Sequence, residues 1–219
     1  MIRGVLFDLD GTLLDTAPDL VFAVNTALEE EGFDTCRSED LKPLISGGAK
    51  AMLRHAVSER RPEFDRLLQR TLNIYEKNVA VHTRFFDGME SLLDHLEQTG
   101  LPWGIVTNKM SRFTEPLARV LGLSQRADCI ISGDTTPERK PHPLPMLEAC
   151  KRLARQPEQC VYVGDAAHDI AAGRRAGMAT LAAVYGYLGP DDEPHVWGAD
   201  GLVHRPLDIA RWLQGTLAP

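Results

Sequence analysis

The sequence predicts an α/β fold: a doubly wound, Rossmann-like parallel sheet with an all-helical domain inserted after its first strand. Three observations carry this. The apolar run Val5-Leu6-Phe7 leads straight into Asp8 and is broken at Gly11-Thr12, as a buried strand is at its ligand-binding end. From residue 85 onward, short apolar runs alternate with helix-length segments, the pattern of βαβ units. Between residues 15 and 84 the text is helical throughout, with no second strand of comparable quality. Residues 1–14 and 85–219 are therefore assigned to the core and 15–84 to the insert.

The elements follow in order. Val5 to Asp8 is the first strand. Pro18 to Gly32 reads as a helix: Asp15 or Thr16 can cap it, Pro18 suits its first turn, and Leu20, Ala23, Val24, Ala27 and Leu28 share one face. Further helical text covers Leu41 to Leu44, Ala49 to Glu59, and Glu63 to Val81. In the core, a helix from Met89 to Gln98 stops at Gly100, and a strand from Pro102 to Val106 ends at Thr107-Asn108-Lys109. Then come a helix from Phe113 to Leu121, a strand from Cys129 to Ser132 and a helix from Leu144 to Ala154. A strand from Cys160 to Val163 ends at Gly164-Asp165, and a helix from Ile170 to Ala176 stops at Gly177. Thr180 to Val184 and Leu202-Val203 are the last strands, and Leu207 to Leu217 the last helix. The crossings near Thr12 to Thr16 and His82 to Asp87 are expected to act as hinges.

Composition narrows the function classes. The 219 residues are 43% hydrophobic and 25% charged, ordinary globular proportions. The net charge is −7 and no basic run is present, which argues against nucleic acid or an anionic membrane as partner. The four cysteines form no Cys-x-x-Cys pair, and no stretch is long and apolar enough for a signal core or a membrane span. Reduced thiols and a cytoplasmic location are the expectation; monomer and homodimer are both compatible with the sequence.

Polar groups stand at three expected strand ends: Asp8 and Asp10, then Thr107 and Asn108, then Asp165. Lys140 lies in the Pro-rich loop Pro137 to Pro143. In a parallel sheet all strand C-termini face one edge, so these groups are expected to converge. Two carboxylates about 4 Å apart repel by roughly 4 kcal/mol at an effective dielectric of 20, and a hard divalent cation is a fitting counter-charge. The set suits phosphoryl transfer. One carboxylate can attack phosphorus, a second acid can protonate the leaving alkoxide, and a hydroxyl, backbone N–H groups and a lysine can hold the remaining oxygens.

These residues resemble the haloacid dehalogenase-like hydrolases. All four motifs of that family occur in order: Asp8-Leu9-Asp10-Gly11-Thr12, Thr107-Asn108, Lys140-Pro141, and Gly164-Asp165-Ala166-Ala167-His168-Asp169. The resemblance covers essentially the whole chain, and the insert resembles the family's C1-type helical cap. It implies Asp8 as nucleophile and magnesium ligand, and Asp10 as general acid/base with its backbone carbonyl on the magnesium. It further implies Thr107 and the Asn108 backbone as phosphate binders, Lys140 as the neutralising cation and Asp165 as a direct magnesium ligand. Asp169 would touch the metal through water or position Lys140. An aspartate at position 10 implies phosphatase or phosphomutase rather than dehalogenase. The stretch Asp10 to Asp19 resembles phosphoglycolate phosphatases. Ile45 to Lys50, Trp103 to Lys109, Tyr185 to Tyr187 and Trp197 to Asp200 resemble the N-acetylmuramic acid 6-phosphate phosphatase branch. The expected partner is a small phosphorylated metabolite. A β-phosphoglucomutase-like isomerase and a non-catalytic binding protein are the alternatives.

Plainer readings stand beside these. Thr107 can cap a helix, Asn108 can favour a turn, and Asp169 can be a first-turn charge at a helix N-terminus. Ser46-Gly47-Gly48-Ala49-Lys50 reads either as a loop entering a helix or as a specificity loop, with Gly47 and Lys50 at the substrate and Lys50 on its anionic part. His142 and His168 read as exposed loop histidines, and Tyr185, Tyr187 and Trp197 as packing.

Overall fold

A computed structural model describes residues 1–215. Six strands form one parallel sheet: β1 (Gly4–Phe7), β4 (Trp103–Val106), β5 (Cys129–Ile131), β6 (Cys160–Gly164), β7 (Ala179–Ala183) and β8 (Gly201–Val203). Their spatial order is β5-β4-β1-β6-β7-β8. The chain moves outward from β1 to β5, returns to β6 on the other side of β1, and moves outward again. A crevice therefore opens at the C-terminal ends of β1 and its neighbours, where doubly wound sheets bind ligands.

Burial on both faces explains the continuous apolar strands. Val5, Phe7, Val161 and Val163 face one core layer, closed by Met89, Leu92, Leu93 and Leu96 of α5 (Met89–Gln98), Leu117 of α6 (Ser111–Val120) and Ile209 of α10 (Leu207–Leu213). The intervening Leu6, Cys160 and Tyr162 face the other layer, closed by α8 (Leu144–Arg152) and α9 (Ala167–Ala176). A short α7 (Leu123–Arg126) bridges α6 and β5. The sequence pattern carries the last helix to Leu217; the helix observed ends at Leu213, and residues 216 and 217 lie outside the described residues.

The helical insert comprises α1 (Ala17–Glu30), α2 (Ser38–Leu41), a 3-10 turn (Lys42–Gly47), α3 (Gly48–Ala56) and α4 (Phe64–Lys77). It has its own core, including Leu28, Leu41, Met52, Leu53, Phe64 and Leu67, joined by Phe113 and Tyr187 from the sheet-bearing part. The two crossings are tied together rather than running as free linkers. Strand β2 (Leu14–Asp15) pairs antiparallel with β3 (Arg84–Phe85). The buried carboxylate of Asp19 in α1 accepts the backbone N–H groups of His82 and Thr83 at 2.8 and 2.9 Å and the Thr83 hydroxyl at 2.7 Å. Among the described residues, no helix is long and apolar enough to cross a membrane.

Candidate active site

The strand ends do converge. Asp8 follows β1 and extends its ladder, its N–H donating to Val163 O at 2.8 Å. The ammonium of Lys140 lies 2.7 Å from Asp8 Oδ1 and 2.7 Å from Asp169 Oδ1, and it donates to the Tyr162 hydroxyl at 2.8 Å. Groups separated by nearly the whole core thus meet in one buried cluster. The Lys140 loop is fixed by Asn108, whose amide accepts the Lys140 N–H and donates to the Lys140 carbonyl, both at 3.0 Å. The Asn108 side chain therefore aligns the lysine, and any phosphate contact falls to its backbone.

Asp165, at the end of β6, accepts the Tyr187 N–H at 2.8 Å and the Thr12 hydroxyl at 3.3 Å. Oxygens of Asp8, Asp165 and Asp169 lie within 4.8 Å of one another. Asp169 makes two contacts: Oδ2 accepts the Ala166 N–H at 3.1 Å at the start of α9, while Oδ1 faces Lys140. The Asp10 carboxylate stands apart from that trio. It accepts the Thr16 hydroxyl at 2.6 Å and the Lys109 ammonium at 2.8 Å. Both contacts fall on Oδ1, and the acidic oxygens that cluster are those of Asp8, Asp165 and Asp169.

Two glycines let the carboxylates approach. Gly11 has φ +82, and a Cβ there would fall 2.1 Å from Asp165 Oδ2. A Cβ on Gly164 would fall 2.4 Å from Asp169 Cβ. Both positions need hydrogen in place of a side chain.

Burial dominates the electrostatics. It pushes the Asp8 carboxyl up to about 7, against the pull of Lys140. It drives Asp165 well above the usual carboxylate range, with the Asp8 and Asp169 charges adding to the effect. Asp169 goes the other way: burial opposes ionisation, but Lys140 and then His168 hold it below the usual value. Lys140 stays protonated because Asp169 and Asp8 outweigh its burial. Four carboxylates, of Asp8, Asp10, Asp165 and Asp169, face the two ammonium groups of Lys109 and Lys140. With all four ionised, the shortfall equals the charge of one divalent cation. Asp8, Asp165 and Asp169 each bring a carboxylate oxygen within 4.8 Å of the others, close enough to share it. The all-oxygen donor set suits magnesium.

A cavity of about 300 Å³ opens above this cluster, bordered by Asp8, Asp10, Thr107, Asn108 and Lys109 from the strand ends and by Gly47, Ser46 and Tyr75 from the insert. Lys50 is not on it. It is exposed and paired with Glu59 at 2.5 Å, so the expected cationic contact from the insert is replaced by a surface ion pair. His168, expected as an exposed histidine, is half-buried and borders the cavity; burial holds its imidazole below its usual value. Tyr187, expected as packing alone, also hydrogen-bonds: its hydroxyl donates to Asp15 at 2.6 Å and accepts the Ala17 N–H at 2.9 Å.

Lys109 and Tyr162 were not among the expected site residues. Lys109 directly follows Asn108, but its reach back to Asp10 depends on β4 lying beside β1. Tyr162 is a polar-tipped side chain within an apolar strand, and its buried hydroxyl needs partners: it donates to Val106 O at 2.8 Å and accepts from Lys140.

Fold and site together place a buried cluster of carboxylates and a lysine at the centre of a doubly wound sheet, beneath a helical insert. The chain belongs to the haloacid dehalogenase-like hydrolases, whose family model matches residues 5–183. It is 41% identical over 218 residues to an N-acetylmuramic acid 6-phosphate phosphatase of Pseudomonas putida, covering 99% of this chain and 98% of that one. It is 45% identical over 216 residues to a phosphoglycolate phosphatase of Xanthomonas campestris, covering 97% and 98%. A crystal structure described as that of a predicted phosphoglycolate phosphatase from Haemophilus somnus superposes with a TM-score of 0.87 at 26% identity, covering 97% of this chain and 98% of that one.

Proposed function

We propose that this hydrolase is a magnesium-dependent phosphomonoesterase that works through an aspartyl-phosphate on Asp8. The observation that carries the reading is the buried ion pair of Lys140 with Asp8, set beside Asp165 and open to the cavity. The names of the relatives point to two substrates, 2-phosphoglycolate and N-acetylmuramic acid 6-phosphate.

In the first step an Asp8 oxygen forms a bond to phosphorus as the bond to the ester oxygen breaks. Asp10 gives that oxygen its proton. In the second step Asp10 takes a proton from water, the water oxygen bonds to phosphorus, and the acyl–phosphate bond breaks to free Asp8 and phosphate. Thr107 and the Asn108 backbone N–H hold phosphoryl oxygens, and Lys140 neutralises charge on Asp8 and the phosphoryl group. Lys109 and Thr16 hold the Asp10 carboxylate in place, and Asp169 holds Lys140. Asp8, Asp165 and the Asp10 carbonyl would hold magnesium, which supplies positive charge where nucleophile and phosphoryl oxygens meet. The helical insert acts as a cap that excludes bulk water during transfer.

The test is phosphate release from both substrates, with magnesium and after chelation. Magnesium-dependent release is expected, with kcat/KM for the two ranking them. No release from any phosphate ester removes the reading, and transfer of phosphate between hydroxyls without release marks a mutase.

A further inference from the structure

Arg139 borders the cavity above Asp8 from the sheet-bearing part of the chain, in the residue before Lys140. Its guanidinium is held along one edge only. Nε donates to Gly133 O at 2.7 Å, and Nη2 meets Met110 Sδ at 3.2 Å. Among the described residues, Nη1 has no hydrogen-bond partner and no carboxylate forms an ion pair with Arg139. Asp134 feels its charge, but that carboxylate is taken up by the Ser111 N–H at 2.8 Å and the Ser111 hydroxyl at 2.7 Å. The other positive charges near the site are all matched. Lys109, the other lysine or arginine bordering the cavity among the described residues, lies 2.8 Å from Asp10 Oδ1. Lys140 is shared by Asp8 and Asp169, and Lys50 is held by Glu59 away from the cavity. A substrate with a second negative charge beyond its phosphate enters a cavity that Asp8 and Asp10 also border, and their repulsion calls for a cation of its own.

Resting on the phosphatase reading, we propose that Arg139 determines specificity by binding a carboxylate on the leaving group. A guanidinium suits that task, because its planar fork can engage both oxygens of a carboxylate. Gly133 and Met110 already orient it, so less side-chain freedom is lost on binding. The substrate class is then the phosphate esters of hydroxy acids. Both acids named by the relatives belong to it: 2-phosphoglycolate carries its carboxylate one carbon from the ester carbon, and N-acetylmuramic acid 6-phosphate carries its own on a lactyl arm.

The experiment uses two matched pairs of esters, with magnesium. N-acetylglucosamine 6-phosphate is N-acetylmuramic acid 6-phosphate without the lactyl arm, and ethyl phosphate is 2-phosphoglycolate with methyl in place of the carboxylate. The quantity read is the ratio of kcat/KM, acid over neutral partner, for the unmodified chain, Arg139→Gln and Arg139→Glu. Damage to the reacting centre moves both members of a pair and cancels in the ratio. In at least one pair Arg139→Gln is expected to lower the ratio by about tenfold, the scale of a lost hydrogen bond to a charged group, and Arg139→Glu by more. The pair that responds identifies which carboxylate is bound. Higher salt is expected to lower that ratio in the unmodified chain, because the ion pair is open to solvent. Ratios unchanged by both variants in both pairs overturn the assignment while leaving the phosphatase reading intact. Arg139 is exposed and either variant decides alone, so a folding failure in one does not shelter the assignment. If the unmodified chain releases phosphate from none of the four esters, the phosphatase reading falls, and this assignment with it.

Discussion

Replacing Lys140 by methionine keeps the stem and removes one charge from the most crowded part of the site. Lys140 is 4% exposed, and its ammonium stands 2.7 Å from both Asp8 and Asp169. At that separation and an effective dielectric near 20, each pairing amounts to about 6 kcal/mol before desolvation of the ammonium is subtracted. Removing one partner of such a buried pair leaves a net loss of about 3–5 kcal/mol. With a denaturant slope of about 2–3 kcal/mol/M, the urea midpoint falls by about 1–2 M. The deficit depends on pH with a definite sign. Burial already raises Asp8 to about 7, and Lys140 is the strongest influence lowering it, so the variant raises it further. Asp169 loses the charge that holds it low, and burial then raises it too. A carboxyl with a folded pKa above its unfolded value binds more protons when folded. Stability therefore falls as pH climbs from the unfolded value through the folded one. The deficit should be large at pH 8 and small at pH 5. Urea unfolding without magnesium, followed through the emission of buried Trp103, reads this directly. An unchanged midpoint, or a deficit equal at the two pH values, refutes the reasoning.

Three further outcomes are expected. Asp8→Asn should reduce phosphate release by more than about a thousandfold while the thermal midpoint at pH 8 does not fall, because a neutral amide replaces a carboxyl that resists ionisation there; normal turnover would contradict the nucleophile assignment. Gly11→Ala should raise the magnesium concentration for half-maximal activity by about 10–100-fold, since its Cβ would lie 2.1 Å from Asp165 Oδ2 at φ +82; an unchanged magnesium titration contradicts it. Magnesium should raise the thermal midpoint more at pH 8 than at pH 5, because Asp8 and Asp165 are both raised and must lose protons to bind it; scanning fluorimetry showing the opposite trend counts against these two as ligands.

The parallel sheet was legible because its strands are buried on both faces. Burial leaves apolar runs such as Val5-Leu6-Phe7, and the polar residues that end them mark the ligand edge. Asp8, Asp10, Thr107, Asn108, Lys140 and Asp165 could be found because chain position alone puts them at that edge. What escaped depends on side chains meeting across elements. The β2–β3 ribbon is two residues per strand, too short for any periodicity. Lys50 carries the charge expected of a ligand contact, but Glu59, nine positions on, reaches it first. Lys109 sits beside a recognised motif, yet its role depends on β1 and β4 being neighbours. Asn108, read as a turn former or as a phosphate contact through its backbone, uses its side-chain amide to clamp the loop that delivers Lys140.

The account rests on Asp8 as the atom donor that takes up phosphorus. Rapid acid quench during turnover, followed by peptide mass spectrometry, tests it most directly. A phosphoryl adduct on the peptide containing Asp8, formed and lost at rates that match turnover, is the result expected. Full turnover with no adduct on Asp8 at any quench time, and with inversion of configuration at a chiral phosphorus as in direct attack by water, would contradict it.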